Sequence, residues 1–315
     1  MGEFRSGFIA IAGRPNVGKS TLLNHILGQK VAIVTHKAQT TRTRILGVHN
    51  RPDGQLVFLD TPGIHATGRN LLNRSMVKVA VESCQDVEVI LFVMDGAKKS
   101  FEADWEVLSR LPRAENIPLV VALNKVDLVD RPSLLPRIAE LSQRGIGMTE
   151  VVPVSALTGE NIPRLVDVLR QTLPEGPRYF PEGQLTDQPE SFLAGEIVRE
   201  KLFMNLNQEL PYSLAVRVER FEEREASKPG APPILDIGAV VLVSRDSQKG
   251  IVIGNKGALL KKVGQAARLE LETIFGTKVF LEIWVKVRKE WYANPQLLGD
   301  LGYPDGKGGG SGSVE

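Results

Sequence analysis

The sequence predicts an α/β domain, with a mostly parallel sheet flanked by helices, followed by a smaller α+β domain. Three observations carry this. Over residues 1–173 short Val/Ile/Leu-rich runs alternate with helical patterns, as buried parallel strands and their crossovers do. Residues 174–190 then hold four prolines and two glycines (PEGPRYFPEGQLTDQPE), the composition of an interdomain linker. Charge is also uneven, because residues 245–290 carry ten Lys/Arg against five Asp/Glu in a chain of net charge +2.

Taken in order, FIAIA (8–12) reads as a strand and STLLNHILG (20–28) as a helix. TRTRILGVHN (41–50) alternates, turns at RPDG (51–54) and pairs with QLVFLD (55–60) as an antiparallel edge hairpin. The helical pattern NLLNRSMVKVAVES follows, then the strand VEVILFVMD and the helix EADWEVLSRL. PLVVALN precedes SLLPRIAELSQRG, and VVPVS precedes IPRLVDVLRQTL. Residues 191–303 form the second domain: helical FLAGEIVREKLFMNLNQ, strand YSLAVRVERF, an insert rich in Pro and charge (222–233), strand DIGAVVLVSRD, helical GALLKKVGQAARLELETIFG and strand KVFLEIWVKV. The glycine-rich tail 304–315 is expected to be disordered.

In open α/β sheets ligands bind at the carboxyl ends of the strands, and the motifs gather there. GRPNVGKST (13–21) follows the first strand and opens a helix, the context of a phosphate-binding loop. Gly13 and Gly18 let backbone N–H groups turn toward phosphate, and Asn16 and Thr21 belong to the same run. Lys19 is placed to reach the β/γ-phosphates and Ser20 to ligate Mg²⁺. Asp60 ends the next parallel strand, where a carboxylate holds Mg²⁺, and Gly63 of DTPG offers an N–H to a γ-phosphate. In NKVD, the Asp127 carboxylate accepts from the two N–H groups on guanine's Watson–Crick edge, a pair that adenine lacks. Asn124 ties loops together, the Lys125 stem lies along the base, and in SAL (Ser155, Ala156, Leu157) the Ala156 N–H meets guanine O6. Together these predict a GTP/GDP·Mg²⁺ site.

HKAQTTRTR (36–44) has the position of a mobile switch in which a threonine hydroxyl completes the Mg²⁺ shell. Thr41 is favoured over Thr40, although sequence does not separate neighbours. The residue after Gly63 is Ile64, which cannot orient water as a glutamine does. The candidate catalytic set is therefore Lys19, Asn16, Thr41 and Gly63. His36 and His65 read as solvated loop residues.

In the second domain Gly254, Asn255, Lys256 and Gly257 form a G-x-x-G between the apolar run Ile251–Ile253 and a basic helical pattern containing Lys261. KH domains clamp about four nucleotides of single-stranded RNA at such a junction. The expectation is that Ile251, Val252 and Ile253 help to floor the groove, with Lys256 and Lys261 attracting phosphate. A basic helix laid on anionic lipid is the competing use. No apolar stretch reaches the roughly 18–20 residues that span a bilayer. The single cysteine, Cys84, excludes an internal disulfide and fits a reducing cytosol.

GRPNVGKST, AQTTR, DTPG, NKVD and VSAL, with FLAGEIVREKL, ELPYS, QKGIVIGNKG and LEIWVKV, resemble the Era family of bacterial GTPases across nearly the whole chain. The resemblance implies a slow GTPase switch in small ribosomal subunit assembly. Its KH domain would bind the 3′ end of 16S ribosomal RNA and the 30S subunit. A cytoplasmic monomer with peripheral inner-membrane association is implied as well. It further implies that K⁺, held partly by Asn16, supplies the charge that a glutamine or arginine supplies elsewhere. The insert at 222–233 and the tail depart from the family's pattern. The alternative is an RNA-binding or membrane-docking module whose nucleotide site is merely regulatory; intact Lys19, Ser20 and Asp60 argue against it.

Overall fold

The structure is a computed structural model that describes residues 3–64, 71–111, 117–143, 148–225 and 233–303. His65, most of the 222–233 insert and the tail 304–315 lie outside the described residues. Two compact units are present, one of residues 1–66 and 79–193, the other of residues 67–78 and 194–315.

The chain runs β1 (Arg5–Ala12), α1 (Lys19–Leu27), β2 (Ile45–Arg51), β3 (Gly54–Asp60), α2 (Leu71–Glu82), β4 (Val89–Asp95), α3 (Glu102–Ser109), β5 (Leu119–Asn124), α4 (Arg131–Gln143), β6 (Met148–Pro153) and α5 (Ile162–Thr172). One six-stranded sheet has the order β2-β3-β1-β4-β5-β6, with β2 antiparallel to β3 and every other pair parallel. Every residue of β3, β4 and β5 is buried, which explains why these strands lack polar alternation. The parallel register brings Asp60 beside Ile11 and Asp95 beside Asn124, so their carboxyl ends share one edge of the sheet.

Residues 174–185 are fastened to this unit. The buried Gln55 side chain accepts from the N–H groups of Tyr179 and Phe180 (2.8 and 3.0 Å) and donates to the Phe180 carbonyl (2.9 Å). The Val48 N–H of β2 donates to the Leu185 carbonyl at 2.8 Å. Composition alone read this segment as a tether.

The second unit includes α6 (Glu190–Asn205) from Ala194 onward, β7 (Ala215–Arg224), β8 (Ile234–Val243), α7 (Asp246–Ile253), α8 (Ala258–Phe275), β9 (Lys278–Val287) and α9 (Pro295–Asp300). Its sheet is β7-β8-β9, antiparallel then parallel, with a bulge between Val218 and Arg220. Buried Val263, Ala267 and Leu271 recur every four residues along α8, a stripe that faces the sheet while Lys261 and Lys262 stay outside.

One expectation needs correction. Ile251–Ile253 is not a separate apolar run but the last turn of α7, a helix absent from the predicted order. Its start is fixed by Gln248, whose Oε1 accepts from the Ser244 and Arg245 N–H groups (2.9 and 3.2 Å). Three β-branched residues after Gly250 mask an eight-residue helix in a pattern-based reading.

Candidate nucleotide and RNA sites

The loop between β1 and α1 has the backbone a phosphate cradle needs. Gly13, Asn16 and Gly18 take φ values of 146°, 62° and 100°. A Cβ on Gly13 would lie 2.4 Å from the Val93 carbonyl oxygen, and one on Gly18 would lie 2.3 Å from Asn124 Nδ2. Both glycines are therefore required by contact as well as by torsion. Lys19 is buried and donates to the Gly13 and Arg14 carbonyls (3.3 and 3.1 Å). Burial lowers its pKa to about 8, against the opposing pull of Asp60. Lys19 is thus held over the cradle by carbonyls that a phosphate can replace as partner. Thr21, half-buried, lines the same cleft.

Three oxygen-bearing side chains meet beside it. Ser20 Oγ donates to Asp60 Oδ2 at 2.6 Å and lies 2.8 Å from Thr41 Oγ1, which is 3.5 Å from the same Asp60 oxygen. Thr40, which lines the same cleft, is bonded to Thr35 Oγ1 (2.6 Å) and the Lys37 carbonyl (2.8 Å). Thr41 is thus the threonine whose hydroxyl meets Ser20 and Asp60. Burial pushes the Asp60 pKa up to about 6, offset in part by Lys19, Ser20 and Thr41. Asp60 Oδ1 is buried without a hydrogen-bond partner. An all-oxygen set with one unsatisfied carboxylate oxygen fits a hard divalent cation that keeps waters and phosphate in its shell.

Gly63 packs against the cradle, where a Cβ would sit 2.7 Å from Pro15 Cα, and the Ile64 N–H donates to the Gly13 carbonyl at 3.2 Å. The Ile64 side chain is 1% exposed and belongs to the apolar cluster of Ala12, Leu59, Phe92 and Met94. At this position the side chain serves the core and not the phosphate cleft. Asn16 instead reaches the switch segment, its Nδ2 donating to the carbonyl of the exposed His36 at 3.0 Å.

The base-recognition motifs converge as a braced pair of loops. Asn124 Nδ2 donates to the Val17 carbonyl (2.7 Å) while its Oδ1 accepts from the Ala156 N–H (2.8 Å). Asn124 thus ties three loops, as expected. The Ala156 N–H, the donor expected to meet guanine O6, is held here by the Asn124 side chain. Lys125, at φ 67°, sends its ammonium to the Asn16 carbonyl and to Asp95 Oδ2, both at 2.8 Å. Asp127 Oδ1 accepts from Ser155 Oγ at 2.6 Å. The Leu157 side chain is 76% exposed. Sequence reading missed Asp95, whose signal was a strand (FVMD) ending in a carboxylate at the ligand-bearing edge. It also missed Ile33, Val34, Thr35 and Gln39, which line the cleft and carry no motif.

In the second unit Gly254, Lys256 and Gly257 all take positive φ (74°, 48°, 80°), and a Cβ on Gly254 would lie 2.7 Å from Leu259 Cβ. Asn255 and Lys256 are exposed at this reversal. A groove runs between α8 and β9, lined by Gly257, Leu260, Lys261, Gly264, Arg268, Leu281 and Ile283. Ile251, Val252 and Ile253 do not line it: Val252 is fully buried, Ile251 is 57% exposed on α7 and Ile253 is half-buried. The apolar floor comes instead from Leu281 and Ile283 on β9, which no local motif marks.

Residues 8–125 match the family described as 50S ribosome-binding GTPase, and residues 209–292 match the KH domain. The chain is 49% identical over 300 residues to GTPase Era of Geobacter metallireducens, covering 95% of this chain and 98% of that protein. It is 52% identical over 302 residues to GTPase Era of Geotalea daltonii, covering 96% and 98%. Among solved structures it is similar to Era in complex with MgGDPNP and nucleotides 1506–1542 of 16S ribosomal RNA, at 42% identity and TM-score 0.89, covering 96% of this chain and 99% of that one. Era of Aquifex aeolicus bound to GDP·AlF4⁻ gives 42% identity and TM-score 0.88, over 95% and 99%. With a phosphate cradle, a braced guanine-type loop pair and a G-x-x-G module in one chain, this protein is a GTPase that belongs to the Era family.

Proposed function

We propose that this chain is a slow GTP·Mg²⁺-dependent switch that holds the single-stranded 3′ end of 16S ribosomal RNA and acts in assembly of the small ribosomal subunit. The observation that carries the switch is the convergence of Ser20, Thr41 and Asp60 beside Lys19. Two of these four groups belong to the cradle, one to the strand end and one to the segment 36–44. Ordering of that segment is thereby tied to what the cradle holds. When bound, Mg²⁺ supplies positive charge to the phosphate oxygens, and Ser20, Thr41 and Asp60 would hold it.

Lys19 balances charge at the transferred phosphoryl group, and the Gly63 N–H orients the γ-phosphate. No side chain at position 64 positions the water, so turnover is slow and depends on charge completion. Asn16, already bonded to the His36 carbonyl, would share K⁺ with that segment. The RNA reading is supported by the G-x-x-G reversal, by the groove behind it and by the RNA bound to the similar Era structure. Cytoplasmic residence, a monomeric state, docking on the 30S subunit and peripheral contact with the inner membrane complete the reading. Exposed Lys261 and Lys262 on α8 support the last of these.

The test is GTP turnover in KCl against NaCl, with and without an RNA carrying nucleotides 1506–1542 of 16S ribosomal RNA. Turnover stimulated by RNA and by K⁺ is expected. Equal rates in the two salts would remove K⁺ while leaving the switch, and no turnover in any condition would overturn the mechanism.

A further inference from the structure

Asp104, in the first turn of α3, is a carboxylate set in the core of the nucleotide-binding unit. It is 1% exposed, and its Oδ1 and Oδ2 are both buried and make no hydrogen bond among the described residues. Phe101, Trp105 and Leu108, its neighbours along the chain, belong to an apolar cluster. Burial pushes the Asp104 pKa up, against the pull of Arg14, and nearby Asp95 adds to the rise. The helix dipole favours an acid at this end of a helix, but a solvated acid would serve the dipole equally well. An aliphatic side chain would fill the position without the cost of burying a charge. Helix formation and packing therefore leave this carboxylate unexplained.

Its partner is in the phosphate cradle: Arg14 Nη1 lies 3.5 Å from Asp104 Oδ2, and the Arg14 side chain is 37% exposed. Three consecutive cradle residues are thus each held from outside the loop. The Gly13 carbonyl accepts from the Ile64 N–H at 3.2 Å, Arg14 meets Asp104, and Pro15 lies against Gly63. Ile64 belongs to the same apolar cluster as Phe101 and Trp105, which flank Asp104. Residues 63–64 and Asp104 therefore stand on one packed wall, and residues 13–15 are pinned to it by a hydrogen bond and a charge pair. With one partner buried, that pair is screened less than a surface pair would be.

We propose that Asp104 is a positioning residue for GTP hydrolysis: through Arg14 it holds residues 13–15 in the register at which the Gly63 N–H meets the γ-phosphate. Asp104 takes no proton in this role and acts only by fixing Arg14. GDP carries no γ-phosphate, so its binding draws little on that register. The proposal rests on the reading of Gly63 as a γ-phosphate donor in a hydrolytic switch.

The test compares the full chain with its D104N, R14Q, R14K and D104N/R14Q variants in GTP turnover with Mg²⁺, GDP affinity and melting temperature. D104N keeps the shape of the side chain and removes a buried charge, and Arg14 can turn to water, so the variant is expected to melt no lower than the wild type. Its kcat should fall about tenfold, with KM for GTP and Kd for GDP within about twofold of the wild type. R14Q should lose the same rate and also melt lower, because it leaves the buried carboxylate without its cation; adding D104N should restore the melting temperature. R14K should recover most of the rate, and the double variant should be no slower than either single one. Wild-type kcat in D104N, losses that multiply in the double variant, or a D104N rate loss matched by weaker GDP binding and a lower melting temperature would overturn the positioning role. Should D104N fail to fold, R14K and R14Q decide the same question, and equal rates in the two would overturn it. Absence of turnover in the wild type would instead sink the hydrolytic mechanism on which the proposal rests.

Discussion

The Lys125 ammonium stands 2.8 Å from both the Asn16 carbonyl and Asp95 Oδ2, joining the guanine-recognition loop to the phosphate cradle. Since Asn16 in turn donates to the His36 carbonyl, a continuous chain of hydrogen bonds runs from the end of β4 to the switch segment. Asp95 holds Lys125 through this ion pair. Charge-assisted bonds of this kind contribute roughly 1.5–3 kcal/mol. Asp95→Asn is therefore expected to weaken GDP binding by about tenfold or more. A double-mutant cycle with Lys125→Ala, read by calorimetry, checks the coupling, and additive losses would show that the two residues act separately.

The two threonines of the switch should behave differently. Thr41→Ala removes a hydroxyl that meets Ser20 and Asp60, whereas Thr40→Ala removes a bond internal to residues 35–40. Thr41→Ala is expected to erase the preference for GTP·Mg²⁺ over GDP and to slow turnover at least tenfold. Thr40→Ala should leave the Mg²⁺ dependence intact. Mg²⁺ titrations of GTP affinity in both variants decide the assignment.

Asp60 links the site to pH. Its folded pKa is raised by burial from 3.8 to about 6, so its contribution to stability without ligand is fully present below about pH 4 and lost as pH rises through 6. The penalty at neutral pH is on the order of 3 kcal/mol. Nucleotide-free Asp60→Asn should accordingly melt higher than the wild type at pH 7.5, and the difference should close near pH 4. Mg²⁺-dependent GTP binding should run the other way, failing as pH drops below about 6 because the carboxylate protonates. Paired melting curves and Mg²⁺ titrations across pH 4–8 test both signs.

Installing a glutamine after Gly63 should not create a faster enzyme. Ile64 is 1% exposed in the core, so Ile64→Gln places an amide among apolar side chains at a cost of about 1–3 kcal/mol. The expected result is a lower melting temperature with no rise in GTP turnover. A rate increase would mean that the side chain at this position reaches the cleft after all.

At the G-x-x-G reversal, Asn255→Asp with Lys256→Glu puts two carboxylates where phosphate should pass, on side chains that are exposed and cost the fold little. RNA capture should fall by at least an order of magnitude in filter binding, with GTP affinity unchanged. Undiminished capture would move the RNA path away from this loop.

The nucleotide site was legible in sequence because its chemistry sits in short contiguous runs. GRPNVGKST, DTPG and NKVD each carry both a backbone requirement and a functional atom, and the parallel strands deliver them to one edge. What the sequence hid depends on contacts between distant segments. The Ala156 N–H is taken by Asn124, 32 residues away in the chain, and Lys125 is claimed by Asp95. Helix α7 was obscured because Ile-Val-Ile has strand-like local preferences that the Gln248 cap and burial of Val252 override. The groove floor needed to know which side of β9 faces α8, and only the fold decides that.

The fastening of residues 174–185 bears on how the nucleotide-binding domain can be isolated. β2 is the edge strand of the six-stranded sheet, and its Val48 N–H is occupied by the Leu185 carbonyl. An uncovered edge invites pairing with another chain. A fragment ended at residue 173 would bare that edge and leave the amide of Gln55 buried with its Tyr179 and Phe180 partners gone. One ended after residue 189 keeps both. The shorter fragment is the one to expect in the insoluble fraction, although the composition of this stretch looks dispensable.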